Sequence, residues 1–117
     1  MIRLKRAYVP VEKGDGVRIL VDRLWPRGIK KEKLQATFWM KDAAPSDELR
    51  KWFHSGDTAN WKEFRARYLK ELKRPEAQKA LHDIAQAAKK GTVTLVYGAK
   101  DEKHNQAAVL KEVIESM

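Results

Sequence analysis

The chain has 117 residues, 43% hydrophobic and 35% charged, which is the length of one domain and the composition of a globular fold rather than of a disordered segment. With no cysteine and three scattered histidines, His54, His82 and His104, disulfides, thiolate metal sites and cysteine nucleophiles are excluded, and neither a metal nor a cofactor is expected. The 25 basic against 16 acidic residues leave a net charge of +9, a field that favours an anionic small molecule or nucleic acid as partner, although no Lys/Arg block of the kind found in nucleic-acid tails is present.

Residues 2–9, IRLKRAYV, alternate in part between apolar and basic and stop at Pro10, which predicts a strand with one wet face. PVEKGDG then reads as a turn. Val17, Ile19, Leu20 and Val21 follow almost without interruption, the pattern of an inner strand covered on both faces. After Gly28, IKKEKLQA suits a short helix and TFWM a brief strand or extended segment.

Pro45 breaks the chain, Ser46 is placed to cap, and Asp47 and Glu48 put negative charge on the first turn of a helix running to about Phe53. Asn60 and Glu63 have capping-box spacing, and Trp61, Phe64, Tyr68 and Leu72 form one apolar stripe of the next helix. Pro75 starts a further helix whose Ala77, Leu81, Ile84 and Ala88 repeat at helical period until Gly91. TVTLVYG is a second continuous strand, and Ala107, Leu110 and Ile114 mark one face of a closing helix.

Two all-apolar strands separated by helices predict an α/β fold: a single-domain layered structure over residues 1–117, with a small, mostly parallel central sheet flanked by helices. The link between the first two strands is too short for a helical crossover, so antiparallel pairing and an abbreviated crossover both stay open. No run is long and apolar enough to span a membrane, and the first residues lack the apolar core of a secretory signal, so no membrane partner is expected and the expected location is cytoplasmic. The oligomeric state is not legible.

If the two apolar strands are parallel neighbours, the loops that follow them converge at one sheet edge, where open α/β folds place ligands. The first loop, DRLWPRG, supplies Asp22 as a general base or a buried carboxylate, and Arg23 and Arg27 as a fork for phosphate or carboxylate or as salt-bridge partners of Asp22. Trp25 is a lid or packing residue, and Gly28 supplies a backbone shape other residues resist. In the second loop, Asp101 and His104 are candidates for moving protons, Lys100 and Asn105 for holding the ligand, and Asp101 or Asn105 alternatively caps the last helix. Phosphate-loop, dinucleotide, nucleophile-elbow and HExxH motifs are absent, and Ser46 and Ser55 have no evident histidine–acid partners.

Together, GVRILVDRLWPRG, KDAAPSDELRKWF, the spacing of Trp61, Phe64, Tyr68, Glu71 and Leu72, and TLVYGAKDEKHNQAAVL resemble the YeaO-like branch of the family of domains of unknown function numbered 488. The resemblance spans nearly the whole chain and implies little about function, since that family is by and large uncharacterised. It brings Lys41, Asp42 and Ser46 alongside the two loops as motif residues. Gly98 stands where many relatives have alanine, a departure expected to loosen the loop without removing a chemical group.

Three functions follow as expectations. One is a small cytoplasmic enzyme acting on a phosphate- or carboxylate-bearing substrate, a nucleotide or nucleic acid among them, at loops 22–28 and 98–105. Another is a non-catalytic basic protein that binds nucleic acid or anions, and the third is a protein whose polar loops are a structural brace. The enzyme is the leading expectation, with the binder and the brace as alternatives.

Overall fold

A computed structural model describes residues 1–55 and 60–117, Ser55 by its backbone alone, so the side chain of Ser55 lies outside the described residues. Four strands, β1 (Ile2–Arg6), β2 (Val17–Leu20), β3 (Phe38–Trp39) and β4 (Val93–Tyr97), form one all-parallel sheet in the order β1-β4-β2-β3. Among the described residues five α-helices accompany it: α1 (Lys31–Leu34), α2 (Asp47–Ser55), α3 (Trp61–Glu71), α4 (Pro75–Lys90) and α5 (Gln106–Glu115). The fold is α/β, as the strand and helix patterns predict.

The two arrangements left open for β1 and β2 resolve in favour of the abbreviated crossover. They do not pair with each other; β4 lies between them, with Ile2 and Val17 both opposite Val93. Residues 7–16 make the crossing with one 3-10 turn, Lys13–Asp15. At Gly16 the backbone has φ +63°, and a Cβ there would sit 2.1 Å from the Thr92 carbonyl oxygen. A glycine therefore lets the chain enter β2 flush against the start of β4.

Alternation along the strands divides the sheet into two faces. Ile2, Ile19, Val21, Val93, Leu95 and Tyr97 join the main core with Phe64 and Tyr68 of α3, Leu81 and Ile84 of α4, and Leu110 of α5. The opposite face carries a smaller cluster of Ala7, Leu20, Leu34 and Val96.

This second face corrects the expectation of a wet side to β1. Lys5 is 9% exposed because the 7–16 crossing covers it. Its ammonium donates to Glu12 at 2.7 Å, to both Asp15 oxygens at 2.8 and 3.0 Å, and to the Pro10 carbonyl at 3.3 Å. Arg18, also buried, reaches Asp15 at 2.7 Å and the Leu34 carbonyl with two further N–H groups. Thr94 Oγ1 donates to the Asp15 carbonyl. A buried carboxylate is tolerated here because opposite charges and hydrogen bonds surround it.

The helix starts are mixed. Ser46 Oγ accepts the Leu49 N–H as the cap of α2, and Glu71 of α3 accepts from both the Ser46 N–H and hydroxyl at 2.8 and 2.6 Å. The capping box expected at Asn60 does not form: the Asn60 side chain makes no cap bond, and Glu63 pairs with Arg67 one turn on. Among the described residues no helix is long and apolar enough to cross a membrane.

Candidate functional site

Because β1, β2 and β4 run parallel, the segments following them meet at one edge of the sheet. Side chains from the β1 end lock the two loops there. Tyr8 donates its hydroxyl to the Arg27 carbonyl at 3.0 Å, and Arg6 Nε donates to the Ala99 carbonyl at 2.9 Å. Gly28, at φ +73°, turns the first loop in the left-handed region, as its place in the motif predicts.

Between these loops, α2 and the start of α5 lies a cleft of about 690 Å³, within the size range of small-molecule sites. Leu24, Trp25, Pro26, Phe53, Phe64 and Ala99 form apolar wall. Every one of the eight residues expected at the site, Asp22, Arg23, Trp25, Arg27, Lys100, Asp101, His104 and Asn105, lines it.

Asp22 leaves the end of β2 and reaches across to β4 and α5. Its Oδ2 accepts the Gly98 N–H at 2.8 Å, and its Oδ1 accepts from Gln106 Nε2. A Cβ on Gly98 would stand 2.8 Å from Oδ2, so the glycine makes room for a close carboxylate–backbone contact instead of loosening the loop. Burial pushes the Asp22 carboxyl up to about 6, and the Gly98 N–H, the Gln106 amide and the Arg50 charge oppose this without cancelling it. No cation forms an ion pair with Asp22 among the described residues.

The four cations along the cleft are differently employed. Arg23 is a strap, donating to the Pro45 carbonyl at 2.9 Å and the Lys41 carbonyl at 3.4 Å. Arg50 of α2 pairs with Asp47 at 3.1 Å through Nη2, but its buried Nε has no partner. Arg27 and Lys100 have no side-chain hydrogen bond or ion pair among the described residues.

In the second loop, Asp101 Oδ1 accepts the Lys103 and His104 N–H groups, and Oδ2 faces His104 Nδ1 at 2.9 Å. The Lys103 N–H, the His104 ring and the His104 N–H hold the Asp101 carboxyl below its ordinary value. His104 is half exposed and leans on Trp61, the ring centres 5.1 Å apart. Asn105 is the cap of α5: Oδ1 accepts the Ala108 N–H at 2.9 Å and Nδ2 donates to the Asp101 carbonyl at 2.9 Å. Trp25 donates to the Ile29 carbonyl at 2.6 Å and meets Trp39 edge to face at 5.4 Å, so one side of its ring is committed to packing.

Sequence reasoning missed Tyr8, Arg50, Phe53, His54, Phe64 and Gln106, which also line the cleft. Burial and the nearby Arg50 charge lower the His54 pKa. Arg50, Phe53 and His54 share one face of α2 at spacings of three and four, the one signal in the sequence that groups them.

The whole chain, residues 1–117, matches the model of a family described as the inactive DUF488-N3 subclade. It is 50% identical to the uncharacterized protein YeaO of Escherichia coli, over 99% of this chain and 98% of that one. It is 36% identical to the uncharacterized protein Rv3073c of Mycobacterium tuberculosis and to Mb3100c of Mycobacterium bovis, over 97% of this chain and 92% of each of those. No solved structure matches.

Proposed function

The chain belongs to the DUF488 family, and on that premise we propose that it is a binding protein whose strand-end cleft holds a small molecule carrying a phosphate or carboxylate on an apolar body. The observation that carries this reading is the buried Arg50 Nε without an acceptor, on a cleft also lined by the exposed Arg27 and Lys100, which have no side-chain partners among the described residues. Around Asp15, by contrast, the buried charges Lys5, Asp15 and Arg18 are paired with one another. A buried donor left unmatched costs about 1–3 kcal/mol, and an anion would satisfy it.

The apolar wall suits a hydrocarbon or ring attached to that anion. The description of the family as inactive supports binding over turnover. So does the second loop, where Asp101 and His104 are engaged with each other and with the loop backbone.

Thermal shift with phenyl phosphate, phenyl sulfate and benzoate, against neutral phenol and against short single- and double-stranded oligonucleotides, tests the proposal. A ligand that binds only the folded state raises its melting temperature. The expected result is a shift with the aryl anions that survives added salt and is lost in Arg27→Ala and Lys100→Ala. A shift with oligonucleotides alone, confined to low salt, would place the ligand on the general basic surface instead. Silence with every probe would refute the cleft as an anion site.

A further inference from the structure

We propose that Asp22 enters the complex protonated and donates a hydrogen bond to the bound anion, so that the cleft takes up one proton with each ligand. This rests on the anion-binding reading above.

The argument starts from the neighbours of the carboxyl group. From α2 come Arg50 and His54; from the loop after β2, Arg23 and Arg27; and from the loop after β4, Lys100, Asp101 and His104. Tyr8 from the segment after β1 and Tyr68 and Glu71 of α3 are further titratable groups on that side, and Tyr68 is itself pushed up by burial first, then by Glu71 and Asp22. In direct contact among the described residues, Asp22 has two neutral donors, the Gly98 N–H and the Gln106 amide, and no cation.

An anion seated against Arg27, Arg50 and Lys100 therefore shares the cleft with a carboxylate that has no counter-charge of its own in contact. Two negative groups in a partly dehydrated site cannot both stay ionised without a large penalty, so one proton is taken up and shared. The burial that already raises Asp22 makes it the group that accepts this proton near neutral pH. Protonated, it turns from a repulsive neighbour into an O–H donor, a fourth one beside the three cations. Electroneutrality is simple: the proton comes from the buffer and returns there when the ligand leaves.

Phenyl sulfate is the sharpest probe, because it does not titrate near neutrality and any proton taken up comes to the protein. Its affinity for the wild-type chain is expected to fall about tenfold per pH unit between about pH 6 and 8, with uptake near one proton per ligand. The uptake is read as the difference in binding heat between two buffers of unlike ionisation enthalpy. Asp22→Asn is expected to lose this tenfold-per-unit dependence. The buffer comparison needs only the wild-type chain, so it decides the matter even where Asp22→Asn fails to fold. Equal heats in the two buffers, or equal slopes in both chains, would overturn the proton linkage while leaving an Arg27-dependent anion site intact. Absence of binding at any pH would overturn both.

Discussion

Asp15 stands just before β2 and Asp22 just after it, and the two aspartates meet opposite surroundings. Around Asp15 gather Lys5 at 2.8 Å, Arg18 at 2.7 Å and Arg3 at 3.8 Å. Burial by itself raises that carboxyl, but the hydrogen bonds from Lys5, the Glu12 backbone and Arg18 outweigh it and hold the group below its ordinary value. Asp22 has only neutral donors in contact, and there burial prevails. The first network is closed on itself and has nothing left to offer a ligand. The second holds a proton loosely and borders cations that want an acceptor, which is why the functional reading belongs to the carboxyl ends of the strands.

Removing the counter-charge breaks the comparison most severely. Asp15→Asn leaves the buried Arg18 without a carboxylate and Lys5 with Glu12 alone, and the expected loss is about 3–5 kcal/mol in chemical denaturation. The pH dependence of stability separates the two sites next, and with opposite sign. Asp22 has a folded value above its unfolded one, so its contribution is complete below about pH 4 and lost as the pH rises through about 6. Asp15 has a folded value below its unfolded one, so its contribution is present above the unfolded value and lost as the pH falls through the folded one. Relative to Asp22→Asn, the wild-type chain is expected to lose about 2 kcal/mol between about pH 4 and 7. A flat difference would mean that the Asp22 environment is polar.

A smaller effect comes from Gly98→Ala, whose new Cβ displaces Asp22 Oδ2. The expected cost is about 1–2 kcal/mol. Least costly is Arg27→Ala, which removes a side chain without protein partners and should change stability by no more than about 0.5 kcal/mol while abolishing the shift with phenyl phosphate. Destabilisation as large as that of Asp15→Asn would instead make the first loop a brace.

Much of the cleft was legible because its framework is local. Apolar runs mark β2 and β4, parallel strands put their ends on one side, and the polar residues directly after each run therefore converge. Ser46 as a cap and Pro45 as a break were equally readable, since capping depends on adjacent residues. Arg50 and Phe53 were not, because their part in the cleft depends on how α2 docks, a tertiary matter that the helix pattern alone does not specify. Asn60 shows the same limit from the other side: the spacing was right, yet the side chain makes no cap bond.

In the sequence Asp15 is one residue of a turn. Nothing in KGDG signals that the crossing folds back over β1 and buries Lys5, which turns an expected wet face into an ionic interior. The alternating basic residues of β1 carry no sign of that cover.

The most direct test of the contrast is a titration of the side-chain carboxyl carbons of Asp15 and Asp22 by nuclear magnetic resonance, with and without phenyl phosphate. The account predicts that Asp22 titrates near 6 in the free protein and moves upward with the ligand, while Asp15 titrates below its ordinary value in both samples. An Asp22 that titrates as an ordinary carboxyl, unmoved by the ligand, would contradict it.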